Sequence, residues 1–402
     1  MTRKLKRILL GSFAAIAVLI AALLAFVWFG PVPIGNKRVL IDFMLGRGIA
    51  PPRAEQIASL LKAPPGFKVE AYTTEVPLAR FMVMTPDGDL IVSRMRADEV
   101  VLVERDRNGD GRADGVRVLL PKLSRPQGLA LHDGWLYVAE STAVGRVKFD
   151  SASGKLAGPY EHILSGLTDE GHHFSKSIGF GPDGWLYLAQ GSSCNVCIEK
   201  DPRRATMMRM QPDGSQPEIY ATGLRNSVGF DWAPWDGALY ATDNGRDLLG
   251  DDFPPDELNR IEPGRFYGWP YVNGFGVLDP DFGKGHEDKV AQTTVPAHAF
   301  RPHNAPLGIA FLRAPGLPPG YERTAIVALH GSWNRSKLDG YKVVALHWQS
   351  DGSIVESDFL TGFLTKDMLI GRPAGVYEAP DGAIYISDDY GGVIYRVTRT
   401  GS

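Results

Sequence analysis

The stretch GPDGWLYLAQG, residues 181–191, is one copy of a phrase that recurs along the chain. Each copy contains a turn of the Pro-Asp-Gly kind, followed by a short strand-like run of alternating residues. Glycine supplies the positive φ that a tight turn between two strands requires, so each copy predicts a β-hairpin. The other clear copies are TPDGDLIVS (85–93), LHDGWLYVAES (131–141), APWDGALYATDNG (233–245) and APDGAIYISDDYGG (379–392).

A sixth, degenerate copy begins at Leu307 and continues through residues 324–331, after an insertion around residues 245–300. Strand-built repeats of about 40–50 residues are typical of propeller blades, which bury both sheet faces only against their neighbours. The sequence therefore predicts an all-β fold, a six-bladed β-propeller, with a pair of β-sandwiches as the alternative. Strand-like residues 68–73 and 393–399 flank the repeats, and we expect them to pair in one blade and close the ring.

The composition is that of a folded, turn-rich protein. The 402 residues include 46 Gly and 29 Pro, 44% are hydrophobic, and the net charge is only −3. This hydrophobic content excludes general disorder, and the low charge gives no electrostatic basis for binding nucleic acid. We therefore expect no nucleic-acid partner.

The N-terminus has the pattern of a membrane anchor. Basic residues within positions 3–7 precede an uncharged run of 22 residues, 8–29, which is long enough to cross the ~30 Å hydrocarbon layer as a helix. The run is longer than the apolar region of a secretory signal and ends in bulky residues. We expect an uncleaved single-pass transmembrane helix with the N-terminus in the cytoplasm and the rest outside it. A cleaved signal peptide is the alternative.

The chain therefore divides into three predicted parts. Pro64 and Pro65 close a connector whose residues 53–62 have an amphipathic helical pattern. The parts are residues 1–30, the N-terminal anchor or signal peptide; residues 31–65, a connector with short helices; and residues 66–402, the propeller.

Cys194 and Cys197 are the only cysteines. In an oxidising compartment, a disulfide that closes a small loop is the first interpretation. Ile198 stands where a haem-attachment motif requires His, and two cysteines cannot complete a tetrahedral zinc site. We therefore predict a disulfide, and neither haem nor zinc, at this pair.

The string DRNGDGRAD has the spacing of a calcium-binding loop. Asp106, Asn108, Asp110 and Asp114 occupy positions 1, 3, 5 and 9, and a glycine stands at the sharp turn. Position 12 is Arg117, where such loops carry a bidentate carboxylate. The pattern predicts either a structural calcium site or a solvated acidic turn, on a hairpin of an early blade.

Five longer strings, in the order in which they occur, resemble the glucose/sorbosone dehydrogenase family, and most closely its sorbosone dehydrogenase branch. The resemblance covers roughly residues 66–400. It implies a six-bladed propeller that uses pyrroloquinoline quinone (PQQ) and calcium. The strings are GHHFSKSIGFGPDG (171–184), GLRNSVGF (223–230), PDELNRI with FYGWP (255–270), HGSWNR (330–335) and GRPAGVYEAPDG with SDDYGGVIYRV (371–397).

The resemblance implies that His173 is the general base. A neutral imidazole with an unperturbed pKa near 6.5 suits this task, because it accepts a hydroxyl proton around neutral pH. The alternative is that His173 is only a polar residue lining the channel.

The resemblance also implies a set of cationic residues around the cofactor. PQQ carries three carboxylates, and arginine binds such groups bidentately. The second family arginine is Ala374 here, and an ordinary ion pair remains the alternative for each basic residue. The implied cofactor-binding residues are Arg225, Asn226 and Arg372, with either Lys337 or Arg335 in the place of the family lysine.

Calcium and substrate positions carry over in the same way. Hard oxygen donors, including backbone carbonyls, suit calcium. His303 and Trp333 are candidate substrate residues of the channel, with core packing as the alternative. The implied metal residues are Gly245 and Arg246 through their carbonyls for one calcium, and Glu257 with the Tyr267 carbonyl for a structural calcium.

Taken together, these residues predict a membrane-anchored periplasmic quinoprotein of the inner membrane that oxidises an aldose, a sorbosone-like aldehyde or a related sugar. His173 is expected to take the substrate proton while the quinone takes the hydride, with calcium as Lewis acid. Because the chain has no haem motif, electrons are expected to pass to a separate quinone or cytochrome. A calcium-dependent lactonase and a non-catalytic surface-binding propeller are the alternatives.

Overall fold

The computed structural model describes residues 12–22, 25, 37, 41–42, 45, 47–366 and 368–400. In this part of the chain, six antiparallel sheets of four or five strands form the blades of a ring. The innermost strand of each blade contacts those of the preceding and following blades, and contact between the sixth and the first closes the ring. The six-bladed propeller is confirmed, and the alternative of paired sandwiches is wrong.

The first strand of the propeller, β1 (Phe67–Thr73), belongs to the last blade. Blades one to three follow it in chain order, each from the innermost strand outwards. Blade one contains β2 (Met82–Met84), β3 (Leu90–Arg94), β4 (Glu99–Glu104) and β5 (Gly115–Leu120); blade two contains β6 (Leu129–His132), β7 (Trp135–Ala139), β8 (Ala143–Asp150), the short β9 (Lys155–Leu156) and β10 (Glu161–Ser165); blade three contains β11 (Lys176–Phe180), β12 (Leu186–Gln190), β13 (Thr206–Met210) and β14 (Glu218–Thr222).

Blades four to six follow the same order, and blade four carries the insertion expected around residues 245–300. Blade four contains β15 (Ser227–Trp232), β16 (Leu239–Asp243), β17 (Asp256–Ile261) and β20 (His298–Phe300), with β18 (Val272–Asn273) and β19 (Val277–Leu278) as a separate hairpin before β20; blade five contains β21 (Pro306–Phe311), β22 (Thr324–Leu329), β23 (Lys342–Trp348) and β24 (Ile354–Leu360); blade six contains β25 (Pro373–Glu378), β26 (Ile384–Asp388), β27 (Val393–Arg399) and β1.

The two ends of the repeat region meet in blade six. Strand β1 pairs antiparallel with β27, with Phe67 opposite Arg399 and Ala71 opposite Tyr395. The outermost strand of the last blade therefore comes from the start of the propeller. This pairing confirms the predicted closure of the ring.

The repeated Asp-Gly turns join the first and second strands of the blades. Their glycines have positive φ, 94° at Gly88, 77° at Gly184 and 82° at Gly382, as the hairpin pattern requires. Because successive strands alternate in direction, these turns lie at one end of the ring. The segments that enter the innermost strands, and the loops between second and third strands, lie at the other end, which we call the loop face.

Apolar side chains between neighbouring blades form the core. Between blades three and four, for example, Tyr187 and Met207 pack with Leu239 and Ala241, and all four are at least 95% buried. Each sheet buries both faces only because a second sheet lies on each side, which is why the blades cannot fold singly.

The innermost strands approach each other closely at glycines. A Cβ added to Gly308 of β21 would lie 2.7 Å from the backbone nitrogen of Val376 and 2.8 Å from the Ala374 carbonyl oxygen. We expect Gly308→Ala to lower the free energy of unfolding by about 1–3 kcal/mol, because neither main chain can yield without disturbing the ring. Urea denaturation measures this. Gly115→Ala in the outer strand β5, where the nearest atom would be 3.7 Å away, is the control; equal effects at both glycines would contradict the prediction.

The described residues of the N-terminal region are helical between positions 12 and 45 and again later in the connector. Residues 12–22 are helical and exposed, and α1 (Ala54–Leu60) occupies the connector segment in which a helix is predicted. Of the predicted anchor, residues 8–29, the structure describes residues 12–22 and 25, and the others lie outside the described residues. Among those described, no helix combines the length and apolar character needed to span a membrane. A second short helix, α2 (Asp288–Gln292), lies in the insertion of blade four.

Candidate active site

Polar residues precede every innermost strand on the loop face. Each lies one to three residues before the strand begins, so the ring brings side chains from all six blades to the mouth of the channel. They are Arg80, Gln127, His173, Arg225, His303 and Arg372, in blades one to six respectively.

The predicted base, His173, lies just before the innermost strand of blade three, and its backbone has the left-handed conformation, with φ of 48°. Its Nδ1 lies 3.1 Å from the Ser192 carbonyl oxygen and 2.9 Å from Ser192 Oγ. The Ser192 hydroxyl donates its own proton to the Cys194 carbonyl at 2.6 Å, so both oxygens near Nδ1 act as acceptors. This pattern assigns the ring proton to Nδ1 and leaves Nε2 with a lone pair.

The electrostatic surroundings of His173 favour the neutral ring. Burial lowers the pKa of His173 well below 6.5, and the positive charge of Arg225 lowers it further. A ring that is neutral at neutral pH, with its proton already placed on Nδ1, has Nε2 available to accept a proton.

Arg204 holds the main chain around His173. Its buried guanidinium donates to the carbonyl oxygens of Gly191 (2.6 Å), His172 (2.7 Å) and Ser192 (2.7 Å). The segment that carries His173 and the loop that carries Ser192 are thereby joined through one side chain.

Asn226 of blade four lies against the same loop. A Cβ added to Gly191 would lie 2.5 Å from Asn226 Oδ1 and 2.5 Å from His173 Cβ. Both side chains therefore pack directly on the Gly191 main chain, which leaves room only for glycine. The structure brings two predicted site residues from different blades together at this point.

Arg225 is buried beside this pair and is held from several sides. Its Nε and Nη2 donate to the main-chain and side-chain oxygens of Asn195 at 2.9 and 2.8 Å, and Nη1 donates to the Asn244 carbonyl at 2.9 Å. Nη2 also forms an ion pair with Asp247 at 2.9 Å. The guanidinium therefore has a fixed orientation before any ligand binds.

The contacts of Arg225 continue into blade five. The other carboxylate oxygen of Asp247 accepts a hydrogen bond from Asn334 Nδ2 at 3.0 Å, and the same nitrogen lies 3.3 Å from His303 Nδ1. His303 is buried, and its Nε2 lies 2.8 Å from the Gly250 carbonyl oxygen. The predicted substrate residue is thus tied to the predicted cofactor residue through two polar side chains.

Arg372 of blade six lies in a second cluster on the loop face. It donates to the His330 and Gly331 carbonyl oxygens at 3.1 and 2.9 Å. His330 Nε2 lies 2.8 Å from Asp389, and Arg80 forms an ion pair with the same carboxylate at 2.8 Å. Burial and the charge of Arg372 lower the pKa of His330 to about 4, so this ring is neutral at neutral pH.

This second cluster borders a cavity of about 30 Å³ that is rich in arginine. Loop residues 330–341 connect it with the first cluster, because His330 contacts Asp389 while Asn334 contacts Asp247. The charged and polar residues that line the cavity are Arg47, Arg80, Arg96, Arg372 and His330, with Asp42, Asp389 and Tyr390.

The four residues predicted to bind two separate calcium ions all line one other cavity, of about 20 Å³, which is enough for a single water molecule or ion. The lining also includes Asp243 and Asn244. Asn244 Oδ1 is buried and has no hydrogen-bond partner among the described residues. The predicted residues in this lining are Gly245, Arg246, Glu257 and Tyr267.

The carboxyl groups of this cavity are only partly compensated, because Arg225, which also lines it, forms its ion pair with Asp247. Burial raises the pKa of Glu257 to about 7, and burial together with the charge of Glu257 raises that of Asp243 well above its ordinary value. The side chain of Arg246 does not neutralise them, because it pairs with Asp279 at 2.5 and 2.6 Å and with Asp281. Two such carboxyls beside an unpartnered amide oxygen form a donor set of the kind that a hard cation prefers.

The DRNGDGRAD loop joins β4 to β5 of blade one, the early blade expected for it. Asp106 accepts main-chain hydrogen bonds from Gly109 at 2.7 Å and Gly111 at 2.8 Å, and Asp114 accepts one from Arg107 at 3.2 Å. Within the described range, its three carboxylates do not meet within 4.8 Å of one another. A calcium ion at Asp106, Asn108, Asp110 and Asp114 therefore stays a prediction.

The remaining predicted residues lie on one long loop of blade five, between β22 and β23. Arg335 donates to the Asp251 and Pro302 carbonyl oxygens and pairs with Asp252 at 3.2 Å. Lys337 is exposed and Trp333 is half-buried. The Arg335 guanidinium is therefore already bound to neighbouring loops, through Asp251, Asp252 and Pro302, whereas Lys337 is exposed to solvent.

Cys194 and Cys197 form a disulfide in the loop between β12 and β13. This loop lies on the loop face and also contains Ser192 and Asn195, which contact His173 and Arg225. The pair thus belongs to the candidate site.

Several site residues were missed by sequence reasoning. The position just before an innermost strand was the available signal for Arg80, which the blade repeat places beside the others. Asn195, Arg204 and Asp247 lie in irregular loops, where only the tertiary contacts identify them. His330 and Asp389 stand inside the strings that carry the family resemblance, but no role was assigned to them.

Comparison with known proteins identifies the family of this chain. Residues 131–396 match the family model described as Glucose / Sorbosone dehydrogenase. An uncharacterized protein of Borreliella burgdorferi is 32% identical over 86% of this chain and 92% of its own length. The aldose sugar dehydrogenase YliI of Escherichia coli K12 is 25% identical over 57% of this chain and 60% of its own.

Solved structures show the same fold. The holo form of the PQQ domain of a Coprinopsis cinerea pyranose dehydrogenase superposes with a TM-score of 0.71 at 19% identity, covering 84% of this chain and 97% of that one. The family model spans most of the propeller and contains the segments of His173, Arg225 and Arg372. The chain therefore belongs to the glucose/sorbosone dehydrogenase family, a family of oxidoreductases.

Proposed function

We propose that this protein is a PQQ- and calcium-dependent dehydrogenase that oxidises an aldose, a sorbosone-like aldehyde or a related sugar. The observation that carries the proposal is His173, a neutral imidazole with a committed Nδ1 proton, next to the fixed guanidinium of Arg225. Two relatives support the same activity by their names: the Escherichia coli protein is an aldose sugar dehydrogenase, and the Coprinopsis cinerea protein is a PQQ-dependent pyranose dehydrogenase.

The residues of the loop face fit a polyanionic cofactor. Positive charge is in excess among the described residues of the two clusters: the five arginines Arg47, Arg80, Arg96, Arg225 and Arg372 outnumber the three carboxylates of Asp42, Asp247 and Asp389. The Nε of Arg80 is buried and has no hydrogen-bond partner in that set. A tricarboxylate would supply the missing negative charge, with Arg225, Asn226 and Arg372 as its holders and Lys337 free to approach from solvent.

The donor set described around Glu257 fits calcium. It combines carboxyl groups, an amide oxygen without a partner and backbone carbonyls at Gly245 and Arg246 around a space of ion size. A divalent cation there would restore the ionised form of both buried carboxyls.

The chain's own residues prepare the proton transfer. Ser192 keeps the His173 proton on Nδ1, and Arg204 fixes the two main-chain segments that hold the ring. His173 Nε2 then accepts the hydroxyl proton of the sugar, and Arg225 stabilises the negative charge that develops near it. When bound, PQQ accepts the two electrons and the hydrogen that leave the sugar carbon.

The pH dependence of kcat/KM follows from the lowered pKa of His173. The active form is the neutral ring, and its folded-state pKa lies below 6.5, so activity is retained at neutral pH and lost on acidification. We expect kcat/KM to stay constant from about pH 8 to about pH 6.5 and to fall only below that range. Steady-state assays across this range measure it, and an acid limb centred at or above pH 6.5 would contradict the assignment.

If calcium binds in the cavity around Glu257, it should stabilise the folded protein against unfolding. Calcium at about 100 times its Kd should raise the free energy of unfolding by about 2.7 kcal/mol, and a chelator should remove that gain. Glu257→Gln should abolish most of the calcium-dependent shift in Tm, whereas the exposed Glu262→Gln should keep it. An unchanged calcium response in Glu257→Gln would place the ion elsewhere.

We further propose that residues 8–29 anchor the protein in the inner membrane with the propeller in the periplasm. The support is the basic flank and the uncharged run of the sequence. Electrons are proposed to leave to a separate quinone or cytochrome, since the single Cys-X-X-Cys string lacks the histidine of haem attachment.

Reconstitution separates this function from its alternatives. Apoprotein is loaded with calcium and PQQ, and reduction of an artificial dye is followed with a panel of aldoses, sorbosone and related sugars. We expect uptake of one cofactor per chain and sugar-dependent reduction. Lactone hydrolysis without cofactor uptake would favour a lactonase, and the absence of both activities would favour a binding propeller.

A further inference from the structure

The disulfide-closed segment 194–197, which we call the cystine ring, makes contacts with both central residues of the site. Asn195 lies between the two cysteines. Its main-chain oxygen accepts from Arg225 Nε at 2.9 Å, and its Oδ1 accepts from Arg225 Nη2 at 2.8 Å. Two of the four hydrogen bonds that orient this guanidinium therefore come from one residue of the ring.

The side chain of Asn195 is itself held in place. Oδ1 also accepts from the backbone nitrogen of Asp247 at 2.9 Å, and Nδ2 donates to the Asp247 carbonyl oxygen at 3.0 Å. Since the Asp247 carboxylate pairs with Arg225, Asn195 aligns both partners of this ion pair. An amide with a donor and an acceptor fits the position. Alanine would keep the main-chain acceptor of Arg225 Nε, but it would remove the Oδ1 acceptor of Arg225 Nη2 and both side-chain contacts with the Asp247 main chain.

The same ring acts on His173 from its other side. The Cys194 carbonyl oxygen accepts the Ser192 hydroxyl proton at 2.6 Å, which turns the Ser192 oxygen into an acceptor for His173 Nδ1. This carbonyl therefore supports the Nδ1 proton position together with the Ser192 carbonyl oxygen, which lies 3.1 Å from the same nitrogen.

The surrounding loop has no regular structure to supply this precision. Residues 191–205 connect β12 to β13 without helix or strand. Ser193 is tied to Glu199 by two hydrogen bonds, of 2.6 and 2.8 Å, but the ring itself is closed only by the disulfide. A covalent cross-link restricts the conformations of such a segment.

We propose that Asn195, held by the Cys194–Cys197 disulfide, is the positioning residue that orients Arg225, and that the same ring acts with Ser192 to keep the His173 proton on Nδ1. The proposal rests on the proposed function for its effect on cofactor affinity, and not for its effect on the imidazole. Reduction by a dithiol would transfer two electrons and two protons to the disulfide, leaving two cysteine thiols and one oxidised dithiol, and would release both contacts.

Cofactor binding is the first test. PQQ is titrated by absorbance into calcium-loaded wild type, Asn195→Ala, Asn195→Asp and the double variant Cys194→Ser/Cys197→Ser. We expect Asn195→Ala to raise the Kd at least tenfold with a Tm close to wild type, because one hydrogen bond to the charged guanidinium and the two side-chain contacts that align Asp247 are lost. Asn195→Asp keeps the acceptors and should recover part of the affinity, and the double variant should fall between. Ile198→Ala, an exposed residue just outside the ring, is the matched control.

The second test needs no cofactor. In protein labelled with ¹⁵N-histidine, the His173 ring, identified by its loss in His173→Asn, should show a proton on Nδ1 in the wild type and in Ile198→Ala. Dithiol reduction of the folded protein, or the double serine variant, should convert this signal to a mixture of tautomers, and reoxidation should restore it. If the wild type takes up no PQQ, the proposed function fails while this measurement still judges the ring. Wild-type PQQ affinity in Asn195→Ala, or an unchanged imidazole signal after verified reduction, would overturn the proposal.

Discussion

Replacing His173 by asparagine is expected to lower kcat by about 10²- to 10⁴-fold, the usual contribution of a general base. Asparagine tolerates the left-handed φ of 48° at this position better than most residues, so the main chain should stay in place. Its side-chain amide can donate to the Ser192 oxygens as Nδ1 does, but it offers no basic nitrogen. PQQ affinity should therefore change little while turnover is lost.

The measurement pairs a PQQ titration with dye-linked assays at saturating sugar. The exposed neighbour His172→Asn is the matched control, because its ring is solvent-accessible, and we expect it to retain most of its turnover. Turnover in His173→Asn within about tenfold of the wild type would reject the assignment of the base. Loss of PQQ binding in that variant would instead show that the residue is structural.

The second large effect concerns stability. Arg246→Met is expected to lower the free energy of unfolding by about 3–5 kcal/mol, because it leaves the carboxylate of Asp279 buried without its cation. Asp279 is only 2% exposed, and the Arg246 Nη1 contacts both of its oxygens, at 2.5 and 2.6 Å. The variant keeps the main-chain carbonyl that is a predicted calcium ligand, but loses the side-chain pair that holds this segment, so we expect it to bind calcium more weakly too.

Chemical denaturation with and without calcium measures both effects. Arg260→Met is the control, because its 3.9 Å pair with Glu262 is solvent-exposed and should contribute less than about 1 kcal/mol. The double variant Arg246→Met/Asp279→Asn should recover part of the loss, as it removes the unpaired charge. A loss below about 1 kcal/mol in Arg246→Met would mean that water reaches Asp279 and that the buried pair is not a structural support.

The fold could be predicted because its signals are local. Each Asp-Gly turn and the alternating run after it specify a hairpin without reference to the rest of the chain, and the repeat length then predicts blades. Closure by residues 68–73 and 393–399 followed from their positions at the two ends of the repeats. The hairpin β18–β19 and helix α2 were not predicted, because the insertion lacks the repeated phrase.

The site was predictable where family resemblance supplied it and not where loops meet. His173, Arg225 and Asn226 converge around Gly191, and the four residues implied for calcium line one cavity. Asn195 and Arg204 act through main-chain contacts of irregular loops, and no spacing in the sequence indicates such contacts. Arg335 illustrates the limit of motif reasoning, since its guanidinium is engaged by a neighbouring loop.

The central claim is that His173 and the arginines of the loop face form one quinoprotein site. Rapid anaerobic mixing of the PQQ- and calcium-loaded protein with an aldose, followed through the cofactor's absorbance, tests it most directly. The wild type should reduce one cofactor per chain in a single turnover, and loaded His173→Asn should do so at least about 100-fold more slowly. A loaded wild type whose absorbance no sugar changes, or a loaded variant that reacts as fast as the wild type, would contradict the claim.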